Sequence, residues 1–181
     1  MLSLQKYINE SLLDDFDKIE NNINPVDEII KFMKDHYYCR EEQLDIKLMN
    51  TGKYVVNVEN SLQPKKKNLI TLTNDLFEFG EIMGDVDFFN CDKLISLKGG
   101  PKRVHGFFDC SNCNKLTSLD GSPEWVWGNF YCTRCPKLKS LKGGPKSIQG
   151  SLYCYECGKQ FTERDIHNAK IDVEGEINNT Y

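Results

Sequence analysis

From Gly84 onward the hydrophobic and polar positions of this chain recur every 22 residues, in units that begin at Gly84, Gly106, Gly128 and Gly150. The second unit reads GFFDCSNCNKLTSLDGSPEWVW and the third GNFYCTRCPKLKSLKGGPKSIQ. The first, GDVDFFNCDKLISLKGGPKRVH, keeps every landmark except one cysteine, and the fourth, GSLYCYECGKQF, stops half-way. No insertion interrupts the register between Gly84 and Phe161. A coil that stacks on its neighbours must return each inward side chain to the same place, so this strictness predicts stacked coils.

Within a unit, Val104, Gly106, Phe108 and Cys110 alternate with His105, Phe107, Asp109 and Ser111, which predicts a strand with the first set inward. Leu116 and Leu119, then Gly121 and Pro123, describe a chain that turns and crosses the back of the coil. One short strand per unit is expected. Such a unit cannot bury its apolar side alone, so the interior is predicted to come from stacking: Phe108 on Phe130 on Leu152, Leu116 on Leu94 and Leu138, Val126 on Val104 and Ile148.

The run Phe130-x-Cys132-x-x-Cys135-x-x-Leu138-x-x-Leu141 resembles the core of leucine-rich repeats, particularly their cysteine-containing bacterial and bacteriophage forms. The match covers about 80 residues, Gly84 to Phe161, and departs from the commonest pattern in leucine spacing and in having Gly where another aliphatic is usual. The resemblance implies an α+β chain built around a short leucine-rich-repeat solenoid with one strand per unit, preceded by a helical and β-hairpin N-terminal cap.

Cys110-x-x-Cys113 and Cys132-x-x-Cys135, separated by 18 residues, also fit the spacing of a four-cysteine zinc site. The repeat weighs against it, because Phe88 replaces the first cysteine in the first unit and a phenyl ring cannot ligate a metal. Cys110, Cys132 and Cys154 read better as small core fillers. Cys91, Cys113, Cys135 and Cys157 read as a ladder of weak donors to the backbone of a bend. No cofactor is expected under this reading, with zinc on Cys110, Cys113, Cys132 and Cys135 as the alternative.

Before the repeats, Leu4, Tyr7, Ile8, Leu12, Phe16 and Ile19 follow helical spacing. This segment resembles the head-targeting leaders of internal proteins in large tailed bacteriophages, in which a protease cuts after a motif that Ile8-Asn9-Glu10 would fit. A helix for self-association is the competing reading. Pro25, followed by Val26, Ile29, Ile30, Phe32 and Met33, predicts a second amphipathic helix ending near His36. LDIKLMNTGKYVVNV then predicts a hairpin around Asn50-Thr51-Gly52. The expected layout is a leader at 1–24, a helix and hairpin cap at 25–60, repeats at 61–162 and a C-terminal cap at 163–181, the last offering a short helix and an IDVEGEI strand pair around a turn.

The chain has 181 residues, net charge −4 and eight cysteines. That length holds one elongated core, and the slight acidity gives no basis for general nucleic-acid binding. The acidic N-terminus lacks an apolar signal region, and no stretch approaches the ~20 apolar residues that span a bilayer, so a reduced, cytoplasmic protein away from membranes is expected. Lys93, Lys115, Lys137 and Lys159 recur as a solvated flank. Chemistry is absent: the GGP triplets at Gly99 and Gly143 are turns, and His36, His105 and His167 have no recurring partner.

A surface remains. The outward positions are rich in aromatics where a soluble sheet ordinarily carries polar residues. Phe89, His105, Phe107, Asp109, Trp127, Tyr131, Tyr153 and Tyr155 are therefore the candidate partner-binding residues of a non-enzymatic protein-interaction module, acting on a host or virion component if the leader resemblance holds. The alternatives are a zinc-binding module that contacts nucleic acid through its lysine flank, and a structural protein inside a virion.

Overall fold

The computed structural model describes residues 24–73 and 75–180. The leader with Ile8, Asn9 and Glu10 lies outside the described residues. Among those described, the chain is a β-solenoid of about six turns with two α-helices.

The first helix, α1 (Pro25–His36), starts where Pro25 occupies the first turn and the Asn24 side chain accepts the Val26 N–H at 3.0 Å. Its apolar stripe buries Ile29 and Met33. At its far end Phe32 meets Phe77 edge-on at 5.7 Å, and Tyr37 meets Phe79 at 5.6 Å. A single 3-10 turn, Glu41–Gln43, leads into β1 (Leu44–Leu48), which forms an antiparallel hairpin with β2 (Tyr54–Val58) around Gly52. From β2 onward every neighbour is parallel.

Each later coil contributes a strand to each of two sheets. The first sheet continues from β2 through β3 (Phe77–Ile82), β5 (Arg103–Val104), β7 (Trp125–Val126), β9 (Ser147–Ile148) and β11 (Asp172–Val173), and with β1 it has seven strands. The second has five: β4 (Val86–Asp87), β6 (Phe108–Asp109), β8 (Phe130–Tyr131), β10 (Leu152–Tyr153) and β12 (Ile177–Asn178). The expectation of one strand per unit is thus corrected to two. The alternating run from Val104 to Cys110 bends at its glycine. Gly106 stacks on Gly84, donating to its carbonyl at 3.0 Å, and Gly128 does the same to Gly106 at 2.9 Å. A Cβ on Gly128 would lie 2.7 Å from the carbonyl carbon and oxygen of Gly106, so only glycine lets the coils close up at this corner.

A second corner uses the left-handed region. Asn90, Asn112, Arg134 and Glu156 all have positive φ, between 53° and 62°, at one repeat position. Asparagine tolerates this conformation by local hydrogen bonding; Arg134 and Glu156 adopt it while paired to each other at 2.7 Å. The third run of each coil then crosses the back without forming a sheet, its backbones linked by bonds such as Thr117 N–H to the Ile95 carbonyl at 3.1 Å.

The interior is a set of columns. Phe108 is in register with Phe130, and Phe130 with Leu152; Val104 is in register with Val126, and Val126 with Ile148. Leu94, Leu116 and Leu138 are fully buried, as are Phe88, Cys110, Cys132 and Cys154 at one shared position. Phe88 fills its place by meeting Phe108 edge-on at 5.8 Å. At the C-terminal end, helix α2 (Glu163–Ala169) is capped by Thr162 and Asp165 and replaces the back run of the last coil. The IDVEGEI segment differs from a pair of strands bonded to each other. Its two strands, β11 and β12, bond instead to β9 and β10, and Gly175 donates to the Gly150 carbonyl at 3.1 Å.

Candidate functional site

The glycine corner divides the outward residues into two groups. On its first-sheet side, one position of each coil forms the column Met83, His105, Trp127 and Gln149, in which Met83 and Trp127 are 44% and 38% exposed. His105 and Trp127 stack with ring centres 4.3 Å apart and planes 3° from parallel. The His105 ring also lies 3.2 Å from the Glu81 carboxylate, which Arg103 pairs with as well. These two contacts hold the Glu81 carboxyl below its ordinary value, His105 contributing most.

On the second sheet, register places Asp87, Asp109, Tyr131, Tyr153 and Asn178 in one outward column. Tyr131 and Tyr153 stack at 4.7 Å, close to the spacing of adjacent strands, and Phe107 meets Tyr131 edge-on at 6.2 Å. The Tyr131 hydroxyl lies 2.7 Å from Nδ2 of Asn129. Rings at equal repeat positions are therefore brought into contact by the coil spacing itself.

The column ends in acid. Asp87 accepts from Gln63 at 2.7 Å and pairs with Lys67 at 3.5 Å. Burial pushes the Asp109 carboxyl up from its ordinary value, and neighbouring Asp87 adds to this, against hydrogen bonds from Ser111.

Phe89 and Tyr155 lie at a different position of the repeat. They occupy one repeat position three coils apart, roughly 14 Å at strand spacing. Between them lie Ser111 and Thr133, which the alternation places outward and the structure buries to 4% and 8% exposure. The reason is the left-handed corner that follows: there Ser111 Oγ accepts the Thr133 N–H at 3.1 Å instead of facing water.

Three of the ladder cysteines, Cys113, Cys135 and Cys157, hydrogen-bond to main chain. The Sγ of Cys113 donates to the Phe88 carbonyl at 3.3 Å, that of Cys135 to the Cys110 carbonyl at 3.3 Å and that of Cys157 to the Cys132 carbonyl at 3.0 Å. Burial is the main cause that raises the thiol pKa at each repeat cysteine, to about 11 at Cys91 and about 12 at Cys135 and Cys154. Metal binding needs thiolates that converge; here protonated thiols point at separate carbonyls. Among the described residues no group of three or more His, Cys, Asp or Glu is placed to hold a metal ion.

Trp125 escapes the sequence reading, which follows the rows beginning at Met83 and Trp127. It is 38% exposed on the first sheet, with the Arg103 guanidinium 5.2 Å and the Lys146 ammonium 5.6 Å from its ring centre. The signal was its position two residues before Trp127, on the same side of an alternating run. The lysine flank, Lys93, Lys115, Lys137 and Lys159, is exposed, and Lys159 pairs with Asp165 at 2.6 Å. Among the described residues no helix is long and apolar enough to cross a membrane.

These features define a repeat β-solenoid with aromatic stacks on both sides of a glycine corner. No protein-family model matches the chain, and no curated protein or solved structure matches it either.

Proposed function

We propose that the corner between the two sheets is a protein-binding surface and that the chain is a non-enzymatic interaction module, with Trp127 and Tyr131 as the central contacts. The observation that carries this reading is the exposed Trp127 ring stacked on His105 beside the Tyr131–Tyr153 stack. Rings already held by a neighbour lose little rotamer freedom on binding, so their burial converts efficiently into affinity. The acids at the end of the tyrosine column, Asp87 and Asp109, add polarity on one side of the surface. Affinity here comes from aromatic burial more than from charge.

The setting implied by the leader resemblance is a bacteriophage protein in a bacterial cytoplasm or virion, engaging a host or virion component. Parallel affinity capture with wild type and a Trp127→Ala/Tyr131→Ala variant tests the surface. The variant is expected to lose a partner that wild type retains; equal recovery of every partner removes this face from consideration.

A further inference from the structure

Strand β1 ends the seven-stranded sheet, and among the described residues no strand lies beyond it. The hairpin register decides which of its backbone groups are free. Met49 N–H donates to the Lys53 carbonyl at 2.8 Å and Glu59 N–H to the Gln43 carbonyl at 2.8 Å. Asp45 and Lys47 share that phase, opposite Asn57 and Val55, so their backbone groups turn toward β2. Ile46 and Leu48 turn theirs to the open side, while the Leu44 N–H is taken by the Glu41 carbonyl. An open edge of this kind is a template for another strand.

The side chains of β1 are self-complementary when read in opposite directions. Leu44-Asp45-Ile46-Lys47-Leu48 is apolar, acid, apolar, base, apolar. Asp45 and Lys47 already pair with each other at 2.6 Å on one face of the strand. On the other face Leu44 and Ile46 pack against the core, while Leu48 stands 62% exposed; the next residue, Met49, is 48% exposed and by the alternation lies on the Asp45 and Lys47 side. Large apolar side chains at the tip of an edge strand are uncovered in the single chain.

We propose that two copies of this chain associate through β1, antiparallel and two-fold symmetric about Ile46. In that register Ile46 lies opposite Ile46 of the second copy and exchanges the backbone bonds that the open edge leaves unmade. Asp45 lies opposite Lys47 of the second copy and Lys47 opposite its Asp45, in the pairs whose side chains approach most closely. Leu48 comes to rest opposite Leu44 of the second copy, so the uncovered leucine is buried where the apolar face of the sheet continues. The two seven-stranded sheets become one. This interface lies on a different part of the molecule from the aromatic corner, so the two readings stand or fall separately.

Sedimentation velocity of the full chain across a concentration series, with Asp45→Lys, Lys47→Asp, their equimolar mixture and the double exchange, tests it. Wild type is expected to dimerise. Each single variant places like charges opposite each other twice and is expected to dissociate at least about tenfold more readily. Mixing the two restores opposite charges across the seam, and the mixture is expected to form a heterodimer; the double exchange, which keeps the self-complementarity, is expected to dimerise like wild type. Circular dichroism establishes that each variant is folded, and the double exchange serves in place of a single variant that is not. A wild type that stays monomeric throughout overturns the proposal, as does a dimer indifferent to these charges or one weakened equally by Trp127→Ala.

Discussion

The Sγ of Cys135 lies 3.3 Å from the carbonyl oxygen of Cys110, 25 residues earlier, and donates to it across the coil boundary. Both residues are fully buried, so the bond operates away from competing water. Truncation removes the donor and leaves a buried carbonyl with less satisfaction. Cys135→Ala is expected to lower the unfolding free energy by about 1–3 kcal/mol, and Cys135→Ser, which keeps a donor, by less, both read from urea midpoints.

Close approach at the glycine corner makes a sharper demand. A methyl group on Gly128 would sit 2.7 Å from the backbone of Gly106 and from the Phe107 nitrogen, and backbone cannot swing aside as a side chain can. Gly128→Ala is expected to cost about 3 kcal/mol, against about 0.5 kcal/mol or less for the exposed Lys137→Ala. Thermal unfolding of the two variants compares them directly.

Buried thiols give a third expectation. Six of the eight cysteines are buried and Cys39 and Cys157 are half-buried. In the native protein at pH 8, alkylation followed by mass spectrometry should find label first on Cys39 and Cys157, with the other six reacting only as fast as the chain unfolds. The same burial acts on stability in alkali. A folded thiol at about 12, as at Cys135 and Cys154, keeps its proton where the unfolded thiol has lost it. Above the ordinary thiol value of about 8.5 the folded state therefore binds more protons, and stability should fall as pH rises toward 12.

Asp109 behaves in the same sense at lower pH. Its folded pKa is raised, chiefly by burial, so the folded state binds the proton more tightly than the unfolded chain. Stability from this group should decrease as pH climbs from the ordinary carboxylate value through the raised one, and stay lost at neutrality. Asp109→Asn retains an oxygen to accept the Ser111 N–H, now bonded at 2.7 Å, and removes the charge. The variant should be at least as stable as wild type at pH 7 and should show a flatter stability profile across that window.

The outward aromatic residues mark where local sequence pattern stops carrying information. Trp127, Tyr131 and Tyr153 were legible as outward because they alternate with the buried Val126, Phe130 and Leu152. That they form two groups was not legible, because a two-residue alternation runs unchanged through a bend in the chain. The stack of His105 on Trp127 joins residues 22 apart, and the place of Trp125 between Arg103 and Lys146 depends on three successive coils. Ser111 and Thr133 mark the opposite failure: their polarity and phase both say outward, and a bond between neighbouring coils buries them.

By itself the sequence determined the period, the buried columns of Phe108, Leu116 and Val126, and the start of α1 at Pro25. Those follow from constraints that act on every coil alike or on residues adjacent in the chain. Only the tertiary structure decided that each unit breaks into two strands, which outward rings touch, and that β1 ends the first sheet among the described residues. Such features depend on how closely one backbone approaches another, and that distance is set by contacts between residues about 22 positions apart or more, where a local pattern carries no information.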